Sequence, residues 1–146
     1  GDDSLLGGAG RDTILGGQGN DTIRSGEGDD FSRGGKGNDL VRGGEGNDTL
    51  LGDADDDTLH GDEGDDRLDG ADGDDHFFGG SGNDRMLGDE GFDTAHYAGL
   101  STDYTIEVLE RGIRVTDNNT LDGDDGVDYL TSIEMLSFAD ADFSFL

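Results

Sequence analysis

Aspartate stands at Asp3, Asp12, Asp21, Asp30, Asp39, Asp48, Asp57, Asp66, Asp75, Asp84 and Asp93, eleven consecutive positions nine residues apart. Glycine precedes each by two residues, except where Asp55 precedes Asp57. An apolar residue follows two after each: Leu5, Ile14, Ile23, Val41, Leu50, Leu59, Leu68, Phe77, Met86 and Ala95, with Ser32 as the exception. The unit reads G-G-x-G-x-D-x-U-x, with U a large apolar side chain, and 7–15 and 43–51 are clean copies. A regular row of carboxylates with no matching row of bases is suited to divalent cations. Calcium takes about 6–8 oxygen ligands at roughly 2.3–2.6 Å.

The elements that would hold such a row follow from the rest of the unit. Glycines in the first four positions permit tight or left-handed backbone. Positions seven to nine read as a three-residue strand whose side chains alternate. Position eight then points inward, and the mostly polar position seven (Thr13, Thr22, Thr49, Thr58, Arg67, Arg85) points outward.

Composition sets the same demand. The 146 residues carry a formal net charge of −28, and 29% are apolar. Chains of that kind stay disordered unless something neutralises them. The charge repels nucleic acid and anionic membrane surfaces. With no Cys there is no disulfide or thiolate site. No apolar run is long enough to span a membrane, and no signal peptide is read. The start at Gly1, without Met, is expected of a piece of a larger protein.

Ten full copies from 7 to 96, with a partial one at 1–6, resemble the repeats-in-toxin (RTX) proteins over about two-thirds of the chain. The resemblance implies an all-β fold, a right-handed parallel β-roll with two short-stranded sheets and eighteen residues per coil. Ten units give five coils, roughly 24 Å at about 4.8 Å per coil. Aspartates eighteen residues apart then share one edge, repelling each other until calcium sits between them.

The resemblance also implies the other ligands. The earlier turn of each site contributes its Asp and the carbonyls of positions two and four. These are Gly8 and Gly10, Gly17 and Gly19, Gly26 and Gly28, Gly35 and Gly37, Gly44 and Gly46, Asp53 and Asp55, Asp62 and Gly64, Ala71 and Gly73. The turn eighteen residues on contributes its Asp and the carbonyls of positions one and three. These are Gly16 and Gln18, Ser25 and Glu27, Gly34 and Lys36, Gly43 and Glu45, Gly52 and Ala54, Gly61 and Glu63, Gly70 and Asp72, Gly79 and Ser81, Gly88 and Glu90. Pairs from Asp3/Asp21 to Asp75/Asp93 make nine sites, eight with complete turns, so eight or nine Ca²⁺ are expected. Eight ions would bring −28 to −12. Ser32, a hydroxyl at an inward position, is expected to be a weak spot.

Residues 97–146 are expected to cap the roll. Tyr104, Ile106 and Val108 alternate with polar residues before Arg111-Gly112 and Ile113-Arg114-Val115, which reads as a β-hairpin. A polar loop over 117–122 follows. Residues 123–131 fit the unit again, with Asp128 at position six, so a displaced repeat could pair Asp128 with Asp84. Residues 133–138 resemble the closing strand that follows such repeats, and solenoid ends need covers. The tail 142–146 is similar to a C-terminal secretion signal, with a frayed or capping tail as the plain alternative.

Other chemistry finds little support. Asp53-x-Asp55-x-Asp57 fails as an EF-hand, with Thr58 at loop position six and Gly64 at twelve. His60, His76 and His96 occupy outward strand positions without zinc-site spacing. No catalytic or organic-cofactor residue is assigned. The expected function is a calcium-dependent folding and secretion module of an extracellular protein. By resemblance its partners are type I export machinery and an upstream domain, a bacterial protease, lipase, epimerase or toxin. An adhesin or receptor-binding module is the alternative reading, and an enzyme in its own right is not expected.

Overall fold

The computed structural model describes residues 1–119, 121 and 124–145. Each repeat contributes a strand of six residues rather than three. These are β1 (Ser4–Ala9), β2 (Thr13–Gln18), β3 (Thr22–Glu27), β4 (Phe31–Lys36), β5 (Leu40–Glu45), β6 (Thr49–Ala54), β7 (Thr58–Glu63), β8 (Arg67–Asp72), β9 (His76–Ser81) and β10 (Arg85–Glu90). Every one runs from position seven of one unit to position three of the next. The extra length comes from glycines one and two, which carry no side chain to break the ladder; Gly17 pairs with Gly35 in register. The turn proper is therefore only positions four to six.

Odd and even strands build two separate parallel sheets. After β10 come β11 (Thr94–His96), β12 (Tyr104–Val108), β13 (Ile113–Asp117), β14 (Val127–Thr131), β15 (Met135–Ser137) and β16 (Asp142–Ser144). Among the described residues one sheet runs β1-β3-β5-β7-β9-β11-β15-β16, and the other β12-β13-β14-β10-β8-β6-β4-β2. Register advances by eighteen residues per coil, as in Ile23↔Val41 and Leu50↔Leu68. This is the parallel β-roll.

The core is two narrow files of position-eight side chains. Ile23, Val41, Leu59, Phe77 and Ala95 line one sheet, and Leu50, Leu68, Met86 and Leu130 the other, all essentially without solvent contact. Leu5 and Ile14, in the first coil, are only partly covered, and Leu6 and Leu15 beside them are exposed. One coil thus buries about two apolar side chains, a small core for eighteen residues.

Ser32 is not the bare hydroxyl expected. Its Oγ lies 2.7 Å from Ser25 Oγ, and both residues are fully buried. Ser25 is the only non-glycine at position one in the full repeats. The two departures from the unit satisfy each other, so the polar defect is closed within the core.

Positive φ marks positions two and four throughout. Glycines there adopt φ from 99° to 145°, outside the range L-residues favour. Asp53, Asp55, Asp62, Ala71 and Asp89 retreat to φ of 69–84°, the left-handed well that Asp tolerates best.

The end of the chain closes the other face. The hairpin β12–β13 is antiparallel, and β13 adds antiparallel to β14. Strand β14 stacks parallel on β10, with Met86 opposite Leu130, 44 positions further along the chain. Strand β15, shorter than the apolar run 133–138, pairs with β11, and β16 folds back on β15. Tyr97, Tyr104 and Phe138 cluster with ring centroids 5.0–5.3 Å apart. Gly123 of the displaced repeat and Leu146 of the tail lie outside the described residues.

Candidate metal centre

The repeat aspartates form two files, one at each edge of the roll, buried from Asp21 onward. Each is fixed by the same bond: the backbone N–H of one Asp donates to Oδ1 of the Asp eighteen residues later. The distance is 2.7 Å for Asp3–Asp21, Asp12–Asp30, Asp21–Asp39, Asp39–Asp57 and Asp48–Asp66. It is 2.8–3.0 Å for Asp30–Asp48, Asp57–Asp75, Asp66–Asp84 and Asp75–Asp93. The second oxygen is the unusual one. In Asp12, Asp21, Asp30, Asp39, Asp48, Asp57, Asp66, Asp75, Asp84 and Asp93, Oδ2 is buried without a hydrogen-bond partner. A buried carboxylate oxygen left unpaired costs several kcal/mol, and here the arrangement recurs at every repeat.

What faces that oxygen is a carbonyl. A Cβ placed on Gly16 would stand 2.5 Å from Asp21 Oδ2 and 2.6 Å from Gly34 O. The same cradle recurs at Gly7 with Asp12 and Ser25 O, at Gly43 with Asp48 and Gly61 O, at Gly52 with Asp57 and Gly70 O, and at Gly61 with Asp66 and Gly79 O. Position-one glycine thus keeps open a space bounded by a carboxylate of one coil and a carbonyl of the next. Hard oxygens around a small void suit calcium. Among the described residues no three His, Cys, Asp or Glu side chains gather as a metal cluster, so carbonyls must complete any coordination shell. Position-three carbonyls such as Glu27 O, Lys36 O and Glu45 O each accept a backbone N–H from the preceding coil. Position-two and position-four carbonyls such as Gly8 O and Gly10 O lie directly beneath the glycines of the next coil.

Burial weighs on the charges. It is the largest influence in raising Asp57 and Asp128 to about 8, Asp66 and Asp93 to about 7, and Asp48, Asp75 and Asp84 to about 6. The neighbouring aspartate eighteen residues away adds repulsion at Asp57, Asp66 and Asp93. In the folded chain these groups call for a proton or a cation.

Three features escaped the sequence reading. Position five carries a second ladder of opposite polarity. Asn20 N donates to Asp2 Oδ1, Asn38 N to Asn20 Oδ1, Asn47 N to Asp29 Oδ1, and Asp65 N to Asn47 Oδ1, at 2.9–3.1 Å. The Asn/Asp choice at this position was the available signal. Next, Tyr97 hydroxyl donates to Asp128 Oδ2 at 2.9 Å; the other oxygen of Asp128 accepts the Asp84 N–H at 2.9 Å, which places Asp128 beside Asp84 as the displaced repeat led us to expect. Finally, Asp93 N donates to Glu134 Oε2 at 2.9 Å, so Glu134 stands in the file after Asp93. No sequence signal pointed to Tyr97 or Glu134.

A family model for the RTX calcium-binding nonapeptide repeat matches residues 1–32, 25–59, 33–68, 60–95 and 116–132. The chain belongs to the RTX calcium-binding nonapeptide repeat family. The RTX match extends past the hairpin to the segment holding Asp128. RTX repeats bind Ca²⁺ and are a non-catalytic module. No curated protein matches the chain. Among solved structures, it is similar to the crystal structure of extracellular lipase LipA from Serratia marcescens, with TM-score 0.37 and 20% identity over 72% of this chain. The chain spans 15% of that lipase chain's length. Among the described residues no helix is long and apolar enough to cross a membrane.

Proposed function

We propose that this RTX β-roll is a calcium-driven folding module that supports export and extracellular stability of a larger secreted protein. One observation carries the reading: the buried, unpartnered Oδ2 recurring along both files. Each ion would be held by the repeat aspartates of two adjacent coils with the carbonyls of positions one to four. The domain division would be a roll over 1–96 and a cap over 97–146, and the complement eight or nine Ca²⁺. Calcium supplies the positive charge that the chain itself lacks. Binding confined to the folded state turns ion affinity into folding free energy. Where calcium is scarce, as inside a cell, the chain stays extended and exportable by a type I system; outside, it folds.

Circular dichroism in chelator and in millimolar calcium tests this. Disordered spectra without calcium and β spectra with it are expected. A chain fully folded in excess chelator at pH 8 overturns the proposal.

A further inference from the structure

Both files of aspartates must end somewhere, and they end differently. In the even-strand file, the last carboxylate is Asp128. Its Oδ1 accepts the Asp84 N–H, and its Oδ2 is taken by the Tyr97 hydroxyl. That terminus is saturated by protein donors. In the odd-strand file, Asp93 is fully buried, and its Oδ2 has no partner. Beyond it, β15 pairs with β11 so that Met135 stands opposite Thr94, the place position seven would occupy. Glu134 therefore takes the place of the next repeat aspartate.

The cradle repeats there too. A Cβ on Gly88 would collide with Asp93 Oδ2 on one side and Ser132 O on the other, the same pair of atom types as at Gly16 and Gly61. Ser132 follows directly on β14, where position one of a new unit would fall. Only Ile133 separates Ser132 from Glu134, so this turn is three residues shorter than a repeat turn. Glutamate is one methylene longer than aspartate, which offsets the shortened path.

We infer that Asp93 Oδ2, Ser132 O and the Glu134 carboxylate form a further Ca²⁺ site, which fastens the C-terminal cap to the roll. The inference rests on the calcium reading above. It adds an ion that the nonapeptide pattern does not encode, with ligands from β11's turn and from the β14–β15 turn. Calcium then closes the end of the core as well as joining the coils, because Ile133 and Leu136 on either side of Glu134 are buried.

Equilibrium dialysis with the full chain counts the ions. Glu134→Gln keeps an acceptor for the Asp93 N–H but removes the charge. It is expected to bind one Ca²⁺ fewer than wild type. The calcium midpoint of its near-ultraviolet tyrosine signal, from Tyr97 and Tyr104, should rise about tenfold. Glu110→Gln, an exposed charge-matched control, should behave as wild type. Gly88→Ala, which fills the cradle from the roll side, should lose the same ion. A full ion count in either Glu134→Gln or Gly88→Ala overturns the inference. A wild-type chain that binds no calcium would instead overturn the calcium reading itself.

Discussion

Asp57 belongs to two bridges at once, accepting from Asp39 and donating through its own N–H to Asp75. Asp57→Asn should therefore weaken two adjacent ion sites. We expect about two fewer Ca²⁺ by dialysis and a higher calcium midpoint for folding by circular dichroism. Protons compete for the same oxygens. Asp57 and Asp128 are raised to about 8, and Asp66 and Asp93 to about 7. A raised acid favours the fold at low pH, and that support is lost as pH climbs through the folded value. Without calcium, structure should thus increase on acidification from pH 8.5 towards pH 5. In calcium the same acidification should weaken ion binding. Far-ultraviolet spectra in chelator across this range check the sign; flat spectra would refute it. The serine pair makes a third case. Ser32→Val alone strands Ser25 Oγ and should cost about 1–3 kcal/mol, whereas Ser25→Gly with Ser32→Val restores the ordinary unit and most of that loss. Chemical denaturation in saturating calcium gives the cycle.

At the level of strand and turn, the glycines separate backbone preference from packing. Gly8 and Gly44 have nearly the same φ, 117° and 116°, but a Cβ on Gly8 meets nothing within 4 Å, while one on Gly44 meets Gly26 O. Gly8→Ala should carry only the conformational penalty, about 1–2 kcal/mol. Gly44→Ala should cost about 1–3 kcal/mol more, because the coil spacing must open. Thermal unfolding in saturating calcium compares them, and equal losses would refute the collision argument. This contrast also explains what could be read beforehand. The Asp row, the inward residues and the parallel roll were legible because a covalent period of nine maps directly onto stacked coils. The six-residue strands were not, since Gly-Gly reads as a turn until a neighbouring coil supplies its ladder. Tyr97 and Glu134 reach their partners across 31 and 41 residues, a proximity that only the folded cap creates. Ser32 alone read as a weak spot, because its partner Ser25 lies seven residues away, a spacing outside any rule for neighbouring strands.

For the whole molecule, size is the bluntest reporter. An unfolded chain of 146 residues has a radius of gyration of about 40 Å, and a compact one about 15 Å. Repulsion at −28 should hold the calcium-free chain at or above the former. Small-angle scattering should show collapse towards the latter on calcium addition, slightly above it for a rod-like roll. The eighteen-residue coil has a mechanical consequence as well. Successive coils are joined by the same backbone ladder and the same aspartate bond, so no repeat coil is held much more firmly than the next. Pulled by its ends, the roll should peel from the uncovered Leu6–Leu15 end one coil at a time. Each release frees about 60 Å of chain at roughly 3.4 Å per residue. A force trace in calcium should then be a train of equal steps ending in one larger rupture, where the cap lets go.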